Sequence, residues 1–136
     1  MIFDLDGTLA DLNGRKPYGE AQALCGDDLC REPIANMVRL YDQAKYLVII
    51  LSGRLERYRS ETDRWLVKHS IPCDLLFMRP NELEQVPDTE IKEGIYLACI
   101  EPHFDVELVV DDRPKVIRMW RELGLVVADV GKGEEF

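Results

Sequence analysis

A chain of 136 residues with 46% hydrophobic residues is long enough to bury a core without disulfide or metal staples. Its 26 acidic residues against 17 basic ones give a net charge of −9, which argues against broad, non-specific binding of nucleic acid but leaves room for a site gripping one phosphate end. No apolar run approaches the roughly 20 residues that cross a bilayer, and no basic flank leads into an apolar stretch at the start, so a soluble, cytoplasmic protein without membrane contact is expected.

In chain order, Met1–Asp4 with Leu5 reads as a first strand. A Gly- and Pro-punctuated stretch from Gly7 to about Arg31 follows, and its Asn13-Gly14 pair suggests a small flap rather than a helix. Pro33 opens a helix that places Ile34, Met37, Val38, Leu40 and Tyr41 on one face. Tyr46–Leu51 is an unbroken apolar run, as in a strand covered on both sides. Glu56–His69 reads as an amphipathic helix burying Tyr58, Trp65 and Leu66, and Cys73–Met78 as the next strand. Asp88 looks like the N-cap of a helix running to about Ile100. Glu107–Val110 is a strand, Pro114–Leu123 a helix stopped by Gly124, and Leu125–Val130 the last strand. GKGEEF reads as a frayed tail, and Trp65 and Trp120 as core.

Short apolar runs alternating with amphipathic segments specify an α/β fold with a central, mainly parallel sheet, and one domain over residues 1–136. Forty-five residues lie between Asp6 and Ser52, and one helix takes part of that interval, so no large cap domain fits and the site should be open. Cys25, Cys30, Cys73 and Cys99 lack CxxC spacing, and His69 and His103 stand apart from other ligand types. Reduced thiols, with Cys73 and Cys99 packed beside apolar neighbours, are expected, and a zinc site is not.

The polar outliers fall at strand ends. Asp4 and Asp6 end the first strand, Ser52-Gly53-Arg54 follows the second, and Asp111-Asp112 follows the Glu107–Val110 strand. In an open parallel sheet all three lie on one edge, outside the carboxyl ends of the strands, where ligands bind. The residue types suit phosphoryl transfer. A carboxylate can attack phosphorus and split one hard displacement into two easier ones. Clustered acids suit a hard cation that cancels the repulsion between carboxylate and phosphate, and a second acid can shuttle the proton. Ser52 and its neighbouring amides, Arg54 and Lys92 can hold or neutralise phosphate oxygens.

FDLDGT, LSGR, Lys92 and VVDDRPK, in this order, resemble the haloacid dehalogenase-like (HAD) phosphatase superfamily over nearly the whole chain. The resemblance implies a Rossmann-like three-layer sandwich, with Asp4 as nucleophile and Asp6 as general acid/base. It implies Mg2+ on the Asp4 carboxylate, the Asp6 main-chain carbonyl and Asp112, with Asp111 orienting the site. More narrowly, FDLDGTLADLNGRKPYGE, DTEIKEGI and PHFDVELVVDDRPKVIRMW look like the 3′-phosphatase domain of phage-type polynucleotide kinase-phosphatases. That likeness implies phosphate-site roles for Thr8, Arg15, Ser52, Gly53 and Arg54, and pairs Asp88 with Lys92 in catalysis. The implied substrate is a nucleic-acid 3′ end, DNA or RNA, carrying a 3′-phosphate or a 2′,3′-cyclic phosphate. Net acidity favours the alternative, a HAD phosphatase acting on nucleotides or other small phosphomonoesters. No GxxxxGK[ST] motif is present, so a kinase or ligase would be a partner or a further module.

Overall fold

The computed structural model describes residues 1–134. Among them, five parallel strands form one sheet in the order β5-β4-β1-β6-β7: β1 is Ile2–Phe3, β4 Ile49–Leu55, β5 Leu75–Arg79, β6 Val109–Asp111 and β7 Val127–Asp129. Successive side chains of a strand point to opposite faces, and the sequence exploits this. Phe3, Val48, Ile50 and Val110 pack on one side with α1 (Glu32–Gln43) and α2 (Arg59–Lys68). Ile2, Ile49, Leu51 and Val109 pack on the other with α4 (Pro114–Glu122) and the turn that extends α3 (Asp88–Ile95). The result is the expected three-layer α/β sandwich.

The helices follow their sequence signals closely. Pro114 begins α4, its buried stripe is Val116, Ile117, Met119 and Trp120, and Gly124 follows at φ +83, where a glycine ends a helix without strain. In α1, Ile34, Ala35 and Val38 are buried and Met37 and Tyr41 pack against the core, but Leu40 is exposed, one step too far round the helix. Glu56–Tyr58 is a 3₁₀ turn ahead of α2 rather than its first turn, which leaves Tyr58 half-buried while Trp65 and Leu66 are enclosed. The regular part of α3 stops at Ile95, and Tyr96–Ile100 continues as a π-turn.

Between β1 and β4 the chain forms an antiparallel pair, β2 (Ala10–Asp11) with β3 (Leu29–Cys30), and then α1. Asn13 and Gly14 both take positive φ, 49° and 88°, as an Asn-Gly turn requires. The flap is more structured than a plain hairpin, because Gly19–Asp27 winds into a 3₁₀ helix between its strands. This interval holds no cap domain. The last strand leads to Gly131, where a Cβ would lie 2.2 Å from the Asp112 carbonyl oxygen. Gly131 thus passes close to the Asp112 backbone, while residues 131–134 are all exposed and residues 135–136 lie outside the described residues.

Candidate active site

Strand order decides where the acids meet. β1 lies between β4 and β6, and Phe3 pairs with both Ile50 and Val110. One residue further on, Asp4 stands beside Asp111, and its amide donates to the Val110 carbonyl at 2.9 Å. The carboxylates of Asp4, Asp111 and Asp112 present oxygens within 4.8 Å of one another. Lys92, on α3 and only 2% exposed, donates to Asp4 Oδ1 at 2.7 Å and to Asp111 Oδ2 at 3.1 Å.

Asp111 and Asp112 have different work to do. Asp111 Oδ1 accepts from the amides of Asp112 and Arg113, at 2.9 and 3.3 Å, and Oδ2 accepts from Lys92 and from the Trp120 indole at 3.2 Å. Both its oxygens are engaged by the protein. Asp112 meets the Thr8 hydroxyl, which lies 3.1 Å from Asp112 Oδ1 and 3.1 Å from Asp4 Oδ2 and has one proton to give to either. Burial lifts the Asp4 carboxyl well above the usual carboxylate range; Lys92 pulls it back, and Asp111 and Asp112 push it further up. Burial raises Asp112 as well. For Lys92, burial works to lower the ammonium, but Asp111, Asp4 and Asp88 outweigh it and hold it well above the lysine range.

The crowded carboxylates of Asp4 and Asp112, with Asp111 close by, fit a magnesium ion, which is bound through one or two carboxylates and keeps positions for substrate phosphate. The backbone makes space for Asp112: Gly7 sits at φ +86, and a Cβ there would fall 2.2 Å from Asp112 Oδ2. The Asp6 side chain stays out of this cluster. Its Oδ1 accepts from Arg54 Nε and Nη2 at 2.9 and 2.6 Å and from Arg15 Nη2 at 3.1 Å.

Ser52, Gly53 and Arg54 lie inside β4 rather than after it. Ser52 pairs with Met78 and Leu55 with Arg79, so Gly53 and Arg54 form a bulge in the ladder. Such a bulge re-aims side chains. Here it drives the Arg54 guanidinium into the interior, fully buried, while Ser52 Oγ accepts from the Arg54 amide at 3.1 Å. A cavity of about 220 Å³ opens above, lined by Asp4, Asp6, Gly53, Asp88, Lys92 and Asp112 among others. Thr8, Ser52, Arg15 and Arg54 are absent from its lining; Thr8, Arg15 and Arg54 grip the acids from behind, while Ser52 Oγ bonds the Arg54 amide instead.

Asp88 is the first residue of α3, with Pro87 at the cap position, and makes no capping bond. Its carboxylate turns instead to Arg79 (3.3 Å), Arg113 (3.5 Å) and Lys92 (3.7 Å). A Cβ on Gly53 would lie 2.3 Å from Asp88 Oδ1, so glycine is what lets the acid settle over the bulge.

Three residues absent from the sequence reading belong to this site. Asp28 takes Arg15 Nε at 2.8 Å on Oδ1, and both Arg15 Nη2 and Arg54 Nη2 at 2.7 Å on Oδ2. The Trp65 indole donates to the Asp28 carbonyl at 2.8 Å and pins the segment. Arg79 and Arg113 line the cavity and flank Asp88. Arg79 and Arg113 each follow an apolar strand, the same signal that exposed the acids; Asp28 had none.

Among the described residues, the thiols are free, with Cys99 exposed rather than packed. His69 is less isolated than its sequence context suggests, since it comes near Cys30 and Glu32. Arg39 occupies that corner, binding Glu32 at 3.1 Å and the His69 carbonyl at 2.6 Å, and burial pushes the Cys30 thiol up to about 11.

The family described as polynucleotide kinase PNKP phosphatase domain matches residues 1–135. The chain belongs to this PNKP phosphatase family. A protein of Autographa californica nuclear polyhedrosis virus named as a bifunctional polynucleotide kinase/RNA ligase is 30% identical over 124 residues, which are 90% of this chain and 18% of that protein. Two solved structures, of a Pnkp1/Rnl/Hen1 complex and of a Pnkp1/Rnl/Hen1 RNA repair complex, contain chains 42% identical to this one with TM-scores of 0.92. Each match covers 98% of this chain and 46% or 42% of the other. The PNKP-family chain thus spans less than half the length of the solved chains and about a fifth of the viral protein. No helix among the described residues is long and apolar enough to cross a membrane.

Proposed function

We propose that the protein removes the 3′-phosphate from nucleic-acid ends, RNA ends first, as a Mg2+-dependent phosphatase that passes through a phospho-Asp4 intermediate. The observation that carries this reading is the Asp4 carboxylate itself: buried at the floor of an open cavity, beside Lys92 and the Asp111-Asp112 pair. That is where an anionic nucleophile can meet an anionic phosphate.

Asp4 attacks phosphorus, the P–O3′ bond breaks, and Asp6 gives its proton to the departing 3′ oxygen. Asp6 then takes a proton from the water that cleaves the Asp4–phosphate bond and releases phosphate. Lys92 offsets charge at Asp4 throughout. The carboxylates of Asp4 and Asp112 and the Asp6 main-chain carbonyl would hold Mg2+, which supplies charge neutralisation and phosphate orientation. Asp111 positions Lys92 and the Asp112 backbone. From behind the cavity wall, Arg54 and Arg15 hold the Asp6 carboxylate in place for proton transfer. Asp88 fixes Arg79 and Arg113 at the rim, where Gly53 leaves it room.

The names of the similar proteins support an RNA-repair setting, with kinase and ligase activities supplied by further modules or partners. The test is a panel of substrates assayed with Mg2+: 3′-phosphorylated RNA and DNA oligonucleotides beside mononucleotides and sugar phosphates. The oligonucleotides, RNA foremost, are expected to turn over fastest, and Asp4→Asn to lose all activity. Equal or faster turnover of the small esters would replace this reading with that of a small-molecule phosphatase, which the net charge of −9 favours.

A further inference from the structure

We infer that Tyr18 forms a stacking platform for the base of the terminal nucleotide, a subsite that lets an acidic protein hold a nucleic-acid end. The inference rests on the 3′-end reading above. Tyr18 lines the same cavity as Asp4, Asp6 and Asp88, yet it is 65% exposed. The other tyrosines are accounted for: Tyr41 and Tyr46 meet edge to face, Tyr96 packs on Trp120, and Arg57 lies over Tyr58. Among the described residues Tyr18 is the tyrosine without an aromatic or cation contact. Its ring is offered to whatever enters the cavity.

The backbone under the ring is held in place. Arg15, three residues earlier, is clamped by Asp28 and Asp6, donates through Nη1 to the Lys16 carbonyl at 2.9 Å, and has its amide bonded to Leu12 at 3.0 Å. Pro17 restricts the next step. Tyr18 itself is extended, and the 3₁₀ helix starts at Gly19, whose φ of +67 suits glycine. Binding therefore need not order a loose loop, which is where a mobile aromatic would lose its advantage. The same segment joins Arg15, on Asp6, to Tyr18, at the rim, so phosphate chemistry and base contact sit on one short run of chain.

Charge explains why stacking is needed. At −9 overall, the protein gains little from general attraction to a polyanion. A π-face serves every base, and each stacked base contributes about 1–3 kcal/mol as judged by alanine substitution.

The experiment compares wild type, Tyr18→Ala and Tyr18→Phe on three substrates: a 3′-phosphorylated oligonucleotide, the same strand ending in an abasic 3′-phosphorylated sugar, and glycerol 2-phosphate. We expect Tyr18→Ala to raise KM about ten-fold on the base-bearing end, with kcat little changed. The abasic end and glycerol 2-phosphate should show no such loss, and Tyr18→Phe should match wild type. Equal losses on all three substrates, or none on any, overturn the inference while the 3′-end reading stands. A wild-type enzyme that ignores every oligonucleotide yet hydrolyses glycerol 2-phosphate overturns both.

Discussion

Lys92→Met is expected to cost about 3–5 kcal/mol of folding stability, the range for breaking a buried ion pair from one side, and to abolish turnover. The ammonium is 2% exposed and stands within 3.7 Å of three carboxylates, those of Asp4, Asp111 and Asp88. Methionine keeps much of the stem's volume and removes the charge, so Asp4 and Asp111 are left to repel each other in the interior. Urea denaturation measures the loss. It should also carry a pH signature. Asp4 is already raised by burial, and without Lys92 the native state gains still more from binding protons there. A group whose folded-state value exceeds its unfolded one favours the native state as pH falls, so the variant should be more stable at about pH 5 than at about pH 8. In the parent protein Lys92 acts with the same sign in a different pH window: held above the lysine range, its charge contributes throughout neutral pH and is lost only in strong alkali. Added Mg2+ should recover part of the variant's stability.

Asp28→Ala is the second large effect. Asp28 and Asp6 balance two arginines, and Arg54 and the Asp28 side chain are almost fully enclosed. Deleting Asp28 leaves an unpaired guanidinium charge in the interior, again about 3–5 kcal/mol. Activity should fall by about 10²-fold, because Arg15 and Arg54 would then settle on Asp6 alone and shift it from the proton-transfer position. Asp28→Asn keeps the shape and one acceptor oxygen but not the charge, so stability should return only in part; the Trp65 bond to the Asp28 main-chain carbonyl persists in both variants. Activity should stay low, since a neutral amide holds the arginines less firmly. A fully active Asp28→Ala protein would show that the arginine pair needs no support.

The residues that organise the site were visible in sequence to different degrees, for physical reasons. Asp4, Asp111 and Asp112 stood out because each interrupts an apolar run, and a parallel sheet places strand ends on one edge. Ser52-Gly53-Arg54 also stood out, but as a turn after a strand that in fact continues to Leu55. A bulge lets polar residues and glycine ride inside a ladder, and period-2 patterning carries no mark of it. Asp88 looked like a cap because acids favour the first turn of a helix; its partners, Arg79 at the end of β5 and Arg113 just ahead of α4, come from other elements and could not be paired from spacing. Asp28 was invisible for the same reason. It lies in a flap without hydrophobic period, and its arginines are 13 and 26 residues away. The layers themselves were legible, because alternation along β1, β4 and β6 decides which face each residue joins.

The central claim is that phosphate passes through Asp4, and a covalent trap tests it most directly. An oligonucleotide carrying a radiolabelled 3′-phosphate is mixed with the enzyme and Mg2+ and quenched in acid within a turnover. The account predicts protein-bound label that hydroxylamine releases, that maps to Asp4, and that is absent from Asp4→Asn. Rapid release of phosphate with no label on the protein, or label on a residue other than Asp4, would contradict it.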